Sequence, residues 1–175
     1  MVRWIRGGRY RMVVGLGVLA VAQIGFLLTA RGGAANAPPT AEPGFDFSGV
    51  HVMAEGPEPE PLVRADPVLV LVFHSSCGHC EVLAPDWAEW MRSRPEGVEV
   101  IAVSQEPLAS AREYAERHGW TVPVRSVVMP NMGGRARMLV GLTPWVFALD
   151  EEGHVVASGH GSEVESVAAA ISGGL

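Results

Sequence analysis

The sequence holds no lysine, and only two of its 175 residues are cysteine. Two cysteines exclude a disulfide-dense scaffold and a four-cysteine zinc site, so their spacing decides what they mean. All 13 basic residues are arginine, a mark of genome composition rather than of function. Charged residues are also scarce, at 18%, against about 25% in ordinary soluble domains. The 21 glycines follow no three-residue period, which excludes a collagen-like chain. Apolar residues, in contrast, are plentiful: 48% of the chain, with a mean hydropathy of +0.21. That is enough for a core and too much for a chain disordered throughout. With so little charge beside it, part of this apolar content is not core. The length suits one domain with an appendage, and the net charge of −6 argues against a nucleic-acid partner.

The composition is uneven along the chain. Residues 12–30 carry 14 hydrophobic side chains in 19 positions and no charge. As a helix they would span about 28 Å, close to the roughly 30 Å hydrocarbon thickness of a bilayer. Arg3, Arg6, Arg9 and Arg11 precede the run, and only Arg31 follows it before Glu42. The positive-inside rule then predicts a cytoplasmic tail over 1–11, a membrane anchor over 12–30, and everything later outside the cytoplasm. A cleaved signal peptide is the rival reading. Its apolar core is usually shorter, at about 7–15 residues, and the Ala35-Asn36-Ala37 sequence that resembles a cleavage site is followed by Pro38. Without residues 1–31 the chain has 8 arginines against 19 acids, a net of −11. So acidic a part is repelled by nucleic acid and by anionic lipid.

Residues 31–64 read as a Pro/Gly/Ala-rich tether and loose domain edge, and 65–175 as the globular domain. Seven of the 13 prolines fall between residues 32 and 67, which rules out a regular helix or central strand there. Phe45, Phe47, Val50 and Val52 alternate and predict a short edge strand. Val68–Phe73 is an unbroken apolar run suited to a strand buried on both faces. A helix is predicted over about 78–92, where Leu83, Trp87, Trp90 and Met91 form one face. A strand over 98–103, a helix over 107–118, a strand over 124–129 and a helix over 131–140 follow. Strands over 145–149 and 154–157 are joined through Asp150-Glu151-Glu152-Gly153. A last helix opens with a capping box at Ser162-Glu163-Val164-Glu165. The order β-α-β-α-β-α-β-β-α predicts an α/β fold, a mixed central sheet with helices on both faces.

The chemistry sits on Cys77-Gly78-His79-Cys80, directly after the buried strand and at the start of its helix. A helix N-terminus offers free N–H groups and partial positive charge, both of which favour a thiolate. Spacing of i, i+3 on one turn brings two sulfurs within disulfide reach. Cys77 at the exposed edge is the expected nucleophile and Cys80 the resolving thiol. A mixed disulfide on Cys77 would be attacked by Cys80, releasing the partner reduced. His79, with Gly78 between the cysteines, would tune the thiolate electrostatically.

These residues resemble the thioredoxin superfamily, and most of all the membrane-anchored TlpA/ResA/MauD-like thiol–disulfide oxidoreductases, over roughly residues 65–172. The strand–CxxC–helix arrangement matches. So does Pro85, five residues after Cys80, where the family has a helix-kinking proline. Thr143-Pro144 stands where the family has its cis-proline, and Gly159 or Gly161 follows the hairpin. An additional βα-sized segment between Cys80 and Pro144 is similar to that of the TlpA-like branch. The resemblance implies a thioredoxin-like fold in which Thr143 contacts substrate and Pro144 packs on the Cys77–Cys80 turn. It also implies a redox-active Cys77–Cys80 disulfide in place of any bound cofactor or metal. The partners it implies are exported client proteins with thiols or disulfides, and a membrane thiol electron donor or acceptor. Maturation of a cytochrome or of a disulfide-containing dehydrogenase is the role that fits by family analogy. Two positions depart from the pattern. Leu71 replaces a buried acid that helps move the proton of the second cysteine, and Ser76 replaces an aromatic residue, with His74 nearby. The CGHC dipeptide is that of protein disulfide isomerases, at about −180 mV rather than the −270 mV of thioredoxin. Most TlpA-like relatives, in contrast, are reductants.

Two other classes stand beside this reading. His74, Cys77, His79 and Cys80 could handle copper as soft ligands, although adjacent residues on one turn seldom converge on one ion. The fold could also be a non-catalytic interaction module. Met129, Met132 and Met138 read as ordinary methionines. Glu81 after Cys80 excludes covalent haem attachment, Gly133-Gly134-Arg135 is no phosphate loop, and the acids of the 150–152 turn read as solvated.

Overall fold

A computed structural model describes residues 43–63, 66–127 and 134–172, without the side chains of Arg135 and Met138. The expected tail and anchor at 1–30 lie outside these residues, as do the methionines at 129 and 132 and part of the 131–140 segment. Among the described residues no helix is long and apolar enough to cross a membrane.

In chain order the elements are β1 (His51–Met53), β2 (Glu60–Pro61), β3 (Val68–Phe73), α1 (Gly78–Ser93), β4 (Glu99–Ser104) and α2 (Leu108–Arg117). They continue with β5 (Val124–Val127), α3 (Gly134–Leu139), β6 (Trp145–Leu149), β7 (Val155–His160), a 3₁₀ turn (Gly161–Glu163) and α4 (Val164–Ser172). The seven strands form one sheet in the order β2-β1-β5-β4-β3-β6-β7. Strands β3, β4 and β5 run parallel, and β6 is antiparallel to β3. Strands β7 and β1 pair antiparallel to β6 and β5.

Strand β3 is central because it is apolar on both faces. Leu69, Leu71 and Phe73 enter the core beneath α1, α2 and α4. Val68, Val70 and Val72 enter the opposite core with Phe47, Leu139 and Phe147. All six are buried, each worth about 1.5–3 kcal/mol relative to exposure. On the α1 side an aromatic cluster fills the layer: Phe73 stacks on Tyr114 at 5.3 Å and meets Trp120 edge-on at 4.9 Å, and Trp120 lies 5.6 Å from Trp87.

Several expectations shift in detail. Phe45 and Phe47 flank an isolated bridge between Asp46 and His154 rather than forming a strand. The strand near Val52 is not an edge, since β1 is paired on both sides and the two-residue β2 takes the edge. The sheet therefore draws on residues 45–62, part of the stretch expected as tether and domain edge, and buries Phe47, Val50, Val52 and Leu62. Strand β7 continues to His160, three residues further than expected. The capping box also moves: the His160 side chain accepts from Ser162 N–H while Glu163 reaches back to His160 N–H. Ser162 does not cap because the chain has already turned helical at Gly161. The hairpin turn depends on Gly153, which adopts φ +90° and where a Cβ would lie 3.1 Å from the Ser48 nitrogen.

Candidate active site

The parallel strands β3 and β4 end at the same sheet edge, where crossover connections leave a ligand-accessible rim. After Phe73 the chain turns through His74, Ser75 and Ser76. The His74 carbonyl accepts the Cys77 N–H at 3.0 Å, and the His74 ring bonds Ser76. Glu106, just past β4, locks this turn. It accepts from Ser75 N–H at 2.7 Å, from the Ser75 hydroxyl and from the Ser104 hydroxyl at 3.1 Å. Burial pushes the Glu106 carboxyl up, but these hydrogen bonds, with nearby His74, hold it below the usual carboxylate value.

Cys77 is the N-cap of α1, extended at φ −83° and ψ 110°, and its sulfur accepts the Cys80 N–H at 3.3 Å. The sulfur thus uses one of the N–H groups a helix start leaves unpaired. Burial pushes the half-buried Cys77 thiol up. Hydrogen bonds from the Cys80 side chain and backbone, from Thr143 and from the His79 backbone outweigh it, so Cys77 lies below an ordinary cysteine. Cys80, one turn on, is fully buried. Burial and its hydrogen bond to Cys77 push it up to about 12. No disulfide joins the two sulfurs in this structure.

The Thr143–Pro144 peptide is cis. The Thr143 carbonyl lies 3.7 Å from the Cys77 sulfur, from which it accepts, and Pro144 is buried. Gly161 ties this loop to α1: its N–H donates to the Pro144 carbonyl at 3.1 Å, and its carbonyl accepts from the Trp87 indole at 2.7 Å. Pro85 lies inside α1 and, lacking an N–H, leaves the Glu81 carbonyl without its helical partner. Leu71 is fully buried.

The structure therefore brings together Cys77, Cys80, Thr143 and Pro144. Gly78 and His79 are exposed on the outer side of the turn, and a Cβ at Gly78 would meet open space. Among the described residues one trio of metal-ligating side chains converges, Asp150, Glu152 and His154 on the hairpin turn; the set of His74, Cys77, His79 and Cys80 does not. Sequence reasoning missed Glu106 and the Trp87–Gly161 bond. Glu106 was findable, since residues that follow adjacent parallel strands share one edge. The Trp87 bond spans 74 positions and leaves no local signal.

No family model matches the chain, and no curated protein matches it. Solved structures do. The thiol:disulfide interchange protein DsbE of Chlorobium tepidum superposes with a TM-score of 0.55 at 20% identity, covering 75% of this chain and 96% of its own. A thioredoxin-family thiol:disulfide interchange protein of the same organism gives 0.51 at 20%, covering 79% and 100%. A peroxiredoxin-like protein of Aquifex aeolicus gives 0.55 at 19%, covering 76% and 90%. At these identities the likeness establishes the fold: a mixed α/β thioredoxin-like fold.

Proposed function

We propose that the chain is a protein thiol–disulfide oxidoreductase acting through Cys77 and Cys80. The observation that carries this reading is the placement of two thiols one helical turn apart beside a cis-proline loop: Cys77 caps the helix start, its sulfur accepting the Cys80 N–H, while Cys80 is fully buried in the core. A nucleophile and a proton-holding resolving thiol need that separation. In the reducing direction the Cys77 thiolate attacks a client disulfide, forms a mixed disulfide and expels one client thiolate. Cys80 then loses its proton and attacks the Cys77 sulfur. The Cys77–Cys80 bond forms, the second client thiolate leaves, and two electrons have passed from the cysteine pair to the client. The oxidising direction is the reverse. Thr143 and Pro144 line the approach to Cys77, and Thr143 offers its carbonyl to an incoming backbone N–H.

In this reading residues 12–30 anchor the domain outside the cytoplasm, clients are exported proteins, and a membrane thiol partner resets the pair. No bound cofactor beyond the cysteine pair is required, and cytochrome or dehydrogenase maturation fits such a location. DsbE of Chlorobium tepidum, a thiol:disulfide interchange protein by name, supports the reading through its shared fold. In cells, Cys80→Ser accumulates mixed disulfides with clients on Cys77, whereas Cys77→Ser forms none and loses exchange. Wild-type exchange by both variants refutes the proposal. Thiol trapping of the wild-type pair in cells then gives its working direction.

A further inference from the structure

Helices α1 and α4 cover the same side of the sheet and leave a groove between them. Two hollows, of about 410 and 340 Å³, make up this groove, and Trp90 and Glu165 line both. Along α1 the first is lined by Leu83, Asp86, Trp87 and Trp90, spaced i, i+3, i+4 and i+7 on one helical face. The second continues past Trp90 to Ser93 and Pro95. From Leu83 to Ser93 the helix rises about 15 Å, room for about four or five residues of extended chain at roughly 3.3 Å each. The head of the groove adjoins the cysteine pair. Gly161 lines it and donates its N–H to the Pro144 carbonyl at 3.1 Å, and the neighbouring Thr143 carbonyl lies 3.7 Å from the Cys77 sulfur. A client whose cysteine reaches Cys77 therefore brings the residues about three to eight positions away into the groove.

The groove is apolar at its floor and acidic at its rim. Trp87 and Trp90 are buried beneath it. Asp86 on α1 and Glu163 and Glu165 on the facing side are exposed along it. No arginine or histidine lines either hollow. Glu163 is engaged in capping, where it accepts the His160 N–H, and Glu165 suits the first turn of α4. Asp86, in the middle of α1, has no such local role. Among the described residues neither Asp86 nor Glu165 pairs with a basic side chain. Val82, one turn before Asp86, is 73% exposed, one of two large apolar side chains left so among the described residues. Unpaired carboxylates above a tryptophan floor suit a cationic side chain set among apolar ones, which the acids attract and the rings hold. An acidic segment is repelled. So is a second copy of this chain, which beyond residue 31 has 8 arginines against 19 acids.

We propose that the groove between α1 and α4 is a docking site for a basic, apolar stretch of the client protein, close in sequence to the cysteine that Cys77 attacks. The inference rests on the thiol-exchange reading above and names the class of client for it. The cysteine pair reacts with any disulfide it can reach; the groove selects among clients by what flanks that disulfide.

The test uses the reduced full-length chain and synthetic peptides whose one cysteine carries a coloured aryl thiol in disulfide linkage. Exchange oxidises the cysteine pair and releases the peptide thiol and the aryl thiolate, so colour follows the rate. One peptide carries arginine and leucine about four and six positions from its cysteine on both sides, a second has glutamate for arginine, and a third has the arginines beyond about ten positions. At low peptide concentration the first reacts on the order of tenfold faster than the other two, and at saturation the three converge, as selection through binding requires. Asp86→Asn with Glu165→Gln brings the first peptide to within about twofold of the others. Glu151→Gln with Glu152→Gln, the same change of charge on the hairpin turn outside both hollows, keeps the preference. Equal rates for the three peptides, or a preference that both double variants lose alike, overturns the docking site and leaves the exchange reading intact. A rate for the first peptide that falls as the protein is concentrated puts a second copy in the groove and overturns the docking site as well. Failure of the wild-type chain to release the aryl thiolate from any peptide overturns the exchange reading, and the docking site with it.

Discussion

Gly161→Ala tests whether the cis-proline loop and the CxxC helix are one unit. A Cβ at this buried position would lie 2.4 Å from Cζ2 of Trp87, 2.9 Å from Cβ of Pro144 and 3.1 Å from Cδ1 of Leu83. Only the leucine end can swing aside. The indole is held by its 2.7 Å bond to the Gly161 carbonyl, and the proline ring is fixed to its backbone. Overpacking of this kind costs about 1–3 kcal/mol. Loss of the two hydrogen bonds through Gly161 adds about 1 kcal/mol each. Replacing glycine returns about 0.4–1 kcal/mol through the unfolded chain. The net is about 2–5 kcal/mol, a large share of a typical 5–15 kcal/mol. Urea unfolding of the reduced chain measures it. A second readout is chemical: if Pro144 is pushed outward, Thr143 leaves the Cys77 sulfur and its lowering contribution goes. The pH at which iodoacetamide begins to alkylate Cys77 then moves up. A variant with the wild-type urea midpoint and the wild-type alkylation profile would refute the coupling.

Two further predictions follow from groups around the pair. Removing Glu106 as Glu106→Ala frees the Ser75 turn and costs about 2–4 kcal/mol, given charge-assisted hydrogen bonds of roughly 1.5–3 kcal/mol. Its folded value lies below 4.5, so its contribution is present above the unfolded value and lost as pH falls through the folded one. Acid unfolding of Glu106→Gln should accordingly be less steep than wild type; equal curves would refute the assignment. At the alkaline end, Cys80 titrates near 9.0 when unfolded and at about 12 when folded. The reduced protein therefore loses about 1.4 kcal/mol of stability per pH unit across that window. The oxidised protein has no thiol to titrate, so the difference in alkaline slope reports Cys80 together with the part of the Tyr114 shift that the thiolates cause. Parallel slopes would contradict the burial of Cys80 as a thiol.

Much of this architecture was legible because it is local. Val68–Phe73 announces a strand covered on both faces by being apolar at every position. Cys77 and Cys80 announce a helix start by their spacing after it, and Thr143-Pro144 by resemblance to a known loop. What was not legible depends on distant partners. Strand β2 is two residues long and is a strand only because β1 lies beside it. His160 caps in place of Ser162 because strand β7 runs on past the point where side-chain alternation stops. Asp86 and Trp90 look like parts of an ordinary amphipathic helix. Their place in one groove with Glu165 appears only once the crossovers put α1 and α4 on the same side of the sheet.

The two thiols diverge first through their places on one helical turn. Cys77 caps the helix, so its sulfur meets amides that have no other partner; Cys80 is three residues further, so its sulfur turns into the core. At neutral pH a thiol that titrates at about 12 is as fully protonated as one that titrates at 9, so raising Cys80 leaves the equilibrium between dithiol and disulfide unchanged. Lowering Cys77 does not: once it titrates below ambient pH, each further unit favours the reduced pair tenfold, about 30 mV for two electrons. The redox sense is therefore carried by whatever holds the Cys77 thiolate. The intervening dipeptide contributes through the His79 backbone, while the Thr143 side chain contributes from across the groove. Under the proposed exchange, the Cys-Gly-His-Cys sequence therefore sets only part of the pair's potential. The remainder belongs to the cis-proline loop, and to Gly161 and Trp87, which hold that loop against the helix.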